Sequence, residues 1–161
     1  MPKIEPIRFQ RGSPMLLCGL RRYHLYTESS RSIPEQWEVF RSLGKIPGQV
    51  GSNCYGVMCG HDAGGIEYLC GVEVDSFAGV PAELGRMHIL EEEYAVFGHS
   101  GQISTIRTTW ERILHEWFPN GGYRSANKPD FEVYDQRFDT RTGSGDVEIW
   151  IAIEKENRPD A

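Results

Sequence analysis

Long apolar runs are missing from this sequence. None of its segments approaches the ~18 residues that a membrane-crossing helix needs, and its N-terminus, MPKIEPIRFQRG, has no hydrophobic signal core. A cytoplasmic protein with no membrane contact is therefore expected. Cysteine is scarce as well. Cys18, Cys54, Cys59 and Cys70 are the four in 161 residues, and none forms a C-x-x-C pair. Even with His61 nearby, that spacing argues against structural zinc and for reduced, buried thiols. Basic charge is in deficit, 17 Lys and Arg against 23 Asp and Glu, net −6. The cluster Arg8, Arg11, Arg21 and Arg22 is too small for the basic stripe of a nucleic-acid binder, so direct DNA binding is disfavoured. Catalytic motifs are equally thin. CGHDAGG is neither a P-loop nor a dinucleotide fingerprint, and GHSG at 98–101 lacks G-x-S-x-G spacing and reads as a strand-to-helix junction. His24, His88 and His115 show no paired spacing. No metal and no cofactor are expected.

What is present is an ordinary globular composition, 39% hydrophobic and 25% charged, enough for one domain over residues 1–161 with a real core. MLLCGLRRYHLY (15–26) predicts a strand. SIPEQWEVFRSLGKI predicts a helix, with Ser32 and Glu35 at capping-box spacing and Trp37 and Phe40 on one face. GQVGSN reads as a glycine-rich loop, and CYGVMCG and IEYLCGVEV as a strand pair. After the linker FAGVPAEL the order recurs. RMHILEEEYAVFGHS predicts a strand, its acidic run Glu91–Glu93 a solvated turn or strand entry. Ile103, Ile106, Trp110, Ile113 and Trp117 then form one stripe of an amphipathic helix. PNGGYRSANKP ends it, and DFEVYD and DVEIWIAIE are two more strands around the turn-rich RFDTRTGSG.

Each half thus reads strand-helix-strand-strand, with repeat one at about 13–76, a linker at about 77–85 and repeat two at about 86–155. Trp37 matches Trp110, YGV (55–57) matches FEV (131–133), and IEYLCGVE (66–73) matches VEIWIAIE (147–154). The fold class expected is α+β: a tandem pseudo-twofold repeat, one antiparallel sheet with two main helices around a central groove. In that register Glu132 corresponds to Gly56. A carboxylate stands in one half where the other half has nothing. Alternation puts Phe131 and Val133 on one face of their strand, and Glu132 and Tyr134 on the other.

The segment from Arg86 to Glu154 resembles the gyrase-inhibitor-like small-molecule-binding family, which supplies effector-binding domains to AraC-type and multidrug-sensing regulators. The matching features, in order, are F-x-H-x-G, a helix with TW and a second Trp, W-x-P-x-x-GY, P-x-FE-x-Y and EIWI-x-I. The resemblance implies that Glu132 lies in an aromatic pocket facing lipophilic cations, here in a freestanding domain without a DNA-binding segment. Trp110, Tyr55, Tyr68 and Trp150 are the expected lining, although the register puts Tyr55 on the Phe131 face unless a bulge intervenes. Trp117 reads as core, while Trp150 and Tyr68 could be core or lining. Two other activities occur among such proteins. One is hydrolysis of strained cyclopropane-type electrophiles, in which Glu132 would be general base and Tyr55 its acid partner. The other is modulation of a protein partner such as gyrase or a transcription regulator.

The physics favours a cation for such a pocket. Apolar burial at roughly 25 cal/mol per Å² supplies most of the attraction, and each aromatic face adds about 0.5–2 kcal/mol for a desolvated cation. A carboxylate then selects for positive charge without demanding one shape.

Overall fold

A computed structural model describes residues 2–156. In chain order the strands are β1 (Arg8–Arg11), β2 (Met15–Leu25), β3 (Gln49–His61), β4 (Gly65–Val74), β5 (Gly85–Ile89), β6 (Glu93–Gln102), β7 (Tyr123–Ser125), β8 (Asp130–Tyr134), β9 (Phe138–Asp139) and β10 (Ser144–Lys155). Helix α1 (Ser29–Ser42) joins β2 to β3, and α2 (Ile106–Arg112) follows β6. One antiparallel sheet runs β1-β6-β10-β8-β3-β4-β2-β5, with β7 and β9 added against β10. Its six inner strands read the same from either end: first strand, last strand, middle strand of each half. The meeting point is the β3–β8 pair, where Gly56 lies opposite Glu132 and Val57 opposite Phe131. The fold is the α+β architecture expected, a curled sheet with two main helices.

The last strands match differently from the sequence alignment. Gly56 pairs with Cys70 and Glu132 with Ile149, so Ile149, not Ile151, takes the place of Cys70. The shift is two residues, which preserves every face.

Both faces of the sheet are buried, which is why its strands are apolar on both sides. On one face α1 covers Tyr68, Cys70, Val72 and Val74 through Phe40, Trp37 and Ile33. On the same face the α2 segment covers Ala95, Phe97, Ile149 and Ile151 through Ile106, Trp110, Ile113 and Trp117. The other face packs upon itself. Leu17 and Ile89 from one end of the strand order join Tyr94 and Val96 from the other, around Tyr55, Leu69 and Phe131. Only a sheet curled into a half-barrel brings those strands together.

Five local expectations change. The capping box is not used: α1 starts three residues before Ser32, Glu28 caps it without a side-chain bond, and the Ser32 hydroxyl is taken by His24. GQVGSN is not a loop beyond residue 48; Gln49 begins β3, whose ladder is irregular between Gln49 and Cys54. RMHILEEEYAVFGHS is two strands, β5 and β6, with Leu90–Glu92 turning between them and Arg11 bonded to Glu91 and Glu93. GHSG lies inside β6, not at a helix start. The second helix is also segmented: a tight turn at Ile103–Thr105, α2, a wide π-turn at Ile113–Trp117, and one more α-turn at Phe118–Asn120. Its apolar stripe survives the change of pitch, and Ile113 and Trp117 are both buried.

Candidate functional site

The centre of the helix-covered face is Glu132. Strand alternation sends its side chain, with that of Tyr134, toward the helices, while Phe131 and Val133 turn into the concave face. Glu132 is 4% exposed, and its carboxylate accepts three hydrogen bonds. The Tyr68 hydroxyl from β4 donates to Oε1 at 2.8 Å, the Tyr134 hydroxyl donates to Oε1 at 2.8 Å, and Trp110 Nε1–H from α2 donates to Oε2 at 2.9 Å. Trp37 Nε1–H, from α1, donates in turn to the Tyr68 oxygen at 3.2 Å. The Trp37 ring meets Tyr134 edge-on, with centroids 5.2 Å apart.

Room for this cluster comes from Gly56. A Cβ there would collide with the Tyr68 hydroxyl and lie 2.7 Å from Glu132 Oε1. The empty position opposite the carboxylate is where a phenol from the neighbouring strand reaches in.

The electrostatics pull in opposite directions. Burial pushes the Glu132 carboxyl above its usual value, while the bonds from Trp110, Tyr134 and Tyr68 oppose that rise. Burial, reinforced by the Glu132 charge, drives the Tyr68 and Tyr134 phenols well above their ordinary value, so both stay neutral donors. Among the described residues no Lys, Arg or His forms an ion pair with Glu132. A buried carboxylate held only by neutral donors is an incomplete charge arrangement.

Of the five residues expected to line one pocket, the structure brings together Glu132, Trp110 and Tyr68. Tyr55 and Trp150 are on the opposite face of the sheet. Tyr55 packs edge-on against Phe131 at 6.1 Å, and Trp150 stacks on Phe131 at 5.5 Å. The two irregularities of β3 fall between Gln49 and Cys54 and between Met58 and Gly60, so Tyr55 lies in the regular stretch from Cys54 to Met58 and keeps its alternation. Ile149 and Ile151 take the helix side of β10, which leaves Trp150 the concave side. Tyr55 therefore cannot serve as the acid partner of Glu132; the phenols in reach are Tyr68 and Tyr134. Trp37 and Tyr134 were not foreseen as lining, although each had a signal: Trp37 is the repeat partner of Trp110, and Tyr134 is two residues from Glu132 on one strand.

Behind the cluster a second buried network braces α1. Gln36 Nε2 donates to the Leu20 and Tyr68 carbonyls at 2.8 and 3.0 Å, so its Oε1 accepts from His24 Nε2–H at 2.5 Å. His24 Nδ1 is 2.6 Å from the Ser32 hydroxyl. In the other half His99 is similarly joined to Thr109 of α2 at 2.7 Å. Each helix is thus pinned over the sheet by a buried histidine from the preceding strand. Among the described residues no group of three or more His, Cys, Asp or Glu is placed to hold a metal ion, and no helix is long and apolar enough to cross a membrane.

Known proteins share this architecture. The structure of SAV2435 bound to tetraphenylphosphonium superposes with a TM-score of 0.72 at 19% identity, covering 91% of this chain and 93% of that one. The Vibrio cholerae integron cassette protein VCH_CASS2 gives 0.69 at 16% identity, covering 94% and 97%. At such identities the likeness is one of fold. In sequence, the transcriptional regulator BrlR of Pseudomonas aeruginosa is 32% identical over 108 residues, which are 67% of this chain and 38% of the regulator. Residues 13–153 match the family described as Cass2, integron-associated effector binding protein. With nearly the whole folded region inside that match, the chain belongs to the Cass2 family of effector-binding proteins.

Proposed function

We propose that the effector is a lipophilic organic cation and that Glu132 is the group that selects its charge. One observation carries this reading: a nearly inaccessible carboxylate, ringed by two tryptophans and two tyrosines, forms no direct ion pair among the described residues, His99 acting on it only from a distance. A cation at ~4 Å would gain on the order of 4 kcal/mol at an effective dielectric of 20 before the desolvation of both charges is subtracted. The aromatic faces favour the same sign. In the state described here the donors fill the space around Glu132, so a ligand has to displace Trp110 or a phenol. Trp110 sits on α2, the short member of the helix pair, which runs directly into the wide turn at Ile113.

The relatives lend support in two ways. Tetraphenylphosphonium, held by SAV2435, is a cation of the proposed class, and the resemblance to BrlR points toward a regulatory output. A hydrolytic use of Glu132 has less support. A general base must accept a proton from water, and here the carboxylate oxygens already accept three bonds. Titration with tetraphenylphosphonium and with neutral triphenylphosphine oxide tests the charge selection. The cation should bind at least tenfold more tightly, about 1.4 kcal/mol. Equal affinity for the two would overturn the proposal.

A further inference from the structure

The concave face, away from the helices, carries its own cavity of about 530 Å³, within the size range of small-molecule pockets. Its floor is aromatic. Phe131 and Trp150 stack at 5.5 Å with 18° between their planes, and Tyr94 meets both edge-on at 5.4 Å. Tyr55 borders the same space. The sheet itself separates this cavity from Glu132, because Phe131 and Val133 line it while the intervening glutamate points to the helices.

The charged lining is unbalanced. It contains two arginines, Arg8 and Arg137, and three carboxylates, Glu73, Asp135 and Glu148. Arg8 grips Glu148 with two bonds of 3.0 and 2.9 Å, and Arg137 reaches Asp135 at 2.8 Å and Glu148 at 3.4 Å. Those four charges satisfy one another. Glu73, half-buried on β4, has no side-chain hydrogen bond or ion pair among the described residues. The chain also shows how a planar cation sits here, since the Arg8 guanidinium lies over the Trp150 ring at 5.6 Å while bonded to Glu148.

We infer that this concave cavity is a second ligand site, for a planar aromatic cation that lies against the Trp150–Phe131 floor and sets its charge against Glu73. Arg8 already lies over Trp150 with its charge answered by Glu148, so it flanks the ligand, and Glu73 supplies the selection. This site stands independently of the proposal for Glu132, which is on the other side of the sheet.

The test uses 9-aminoacridine, a planar cation at neutral pH, and the indole N–H resonances of the tryptophans. Trp150 Nε1–H, which donates to Glu148 at 3.1 Å, reports the concave cavity; the Trp110 and Trp37 N–H groups report the helix face. The dye should shift the Trp150 resonance in a saturable way, with the same affinity in Glu132→Gln as in the parent. Glu73→Gln should weaken that binding roughly fivefold or more, the loss of one partly screened ion pair, while Glu73→Asp retains it. The unshifted Trp117 resonance verifies that each variant is folded. An unmoved Trp150 resonance at saturating dye, or unchanged affinity in Glu73→Gln, would overturn the inference, as would loss of this binding in Glu132→Gln. Failure of tetraphenylphosphonium to bind at Glu132 would leave each of these outcomes readable.

Discussion

Gly56 and Glu132 face each other across the two central strands, and the missing side chain of the first makes the hydrogen bonding of the second possible. Gly56→Ala would place a methyl 2.7 Å from Glu132 Oε1 and into the Tyr68 hydroxyl. The backbone there is ordinary extended strand, so the effect is steric. The variant should fold with a stability loss of about 1–3 kcal/mol, as overpacking does, and Tyr68 should lose its bond to the carboxylate. Urea unfolding measures the first and the ultraviolet signature of the tyrosines the second. A variant as stable as the parent, with Tyr68 undisturbed, would contradict the packing described.

Trp110→Phe keeps an aromatic side chain, though a smaller one, and removes the N–H that donates to Glu132 Oε2 at 2.9 Å. That bond stabilises the ionised carboxylate, so its loss should raise the Glu132 pKa further. Carboxyl ¹³C titration of the variant against the parent measures the shift. A lower value in the variant would be inconsistent with the geometry.

The same burial fixes how cation binding responds to acid. The Glu132 carboxyl is raised above its ordinary value in the unliganded state, and a cation prefers the ionised form. Affinity should therefore be full at high pH and fall as pH drops through that raised value, with protons released on binding below it. Calorimetry in buffers of different ionisation enthalpy counts the protons. Affinity that rises as pH falls would contradict the assignment.

Asp130, at the start of β8, is pushed up to about 7 by burial, against the opposing bond it accepts from the Ala152 N–H at 2.9 Å. The folded state then holds a proton that the unfolded chain releases near pH 4. Its contribution is present below that pH and is lost as pH rises to about 7. Asp130→Asn, which can still accept from Ala152, should remove this slope and gain stability at pH 8 relative to pH 5. Urea midpoints of both proteins at the two pH values provide the check.

Much of this arrangement was legible in the sequence, and the reasons differ by residue. Alternation in DFEVY separated Glu132 and Tyr134 from Phe131 and Val133, and the strand keeps that separation. The match of YGV to FEV placed Gly56 at the equivalent of Glu132, and the two are paired across the centre of the sheet. Trp150 was undecidable because both faces of β10 are buried, so Ile149, Trp150 and Ile151 are all apolar and no polar side marks the register. Tyr55 was drawn toward the pocket by analogy against its own alternation, and alternation prevailed. Ser32 looked like a cap because capping boxes depend only on local spacing; its actual partner, His24, comes from a different element. Long-range hydrogen bonds of that kind leave no local trace.

The most direct test of the account is the affinity of tetraphenylphosphonium for the parent protein and for Glu132→Gln, measured side by side at pH 8. Gln keeps the size of the side chain, and its one amide oxygen can still accept from Tyr68 and Tyr134 in place of Oε1, so the fold should persist while the charge and the bond from Trp110 are lost. The account predicts a loss of roughly tenfold or more, about 1.4 kcal/mol, with neutral triphenylphosphine oxide unaffected by the change. Equal affinity of the two proteins for the cation would contradict it.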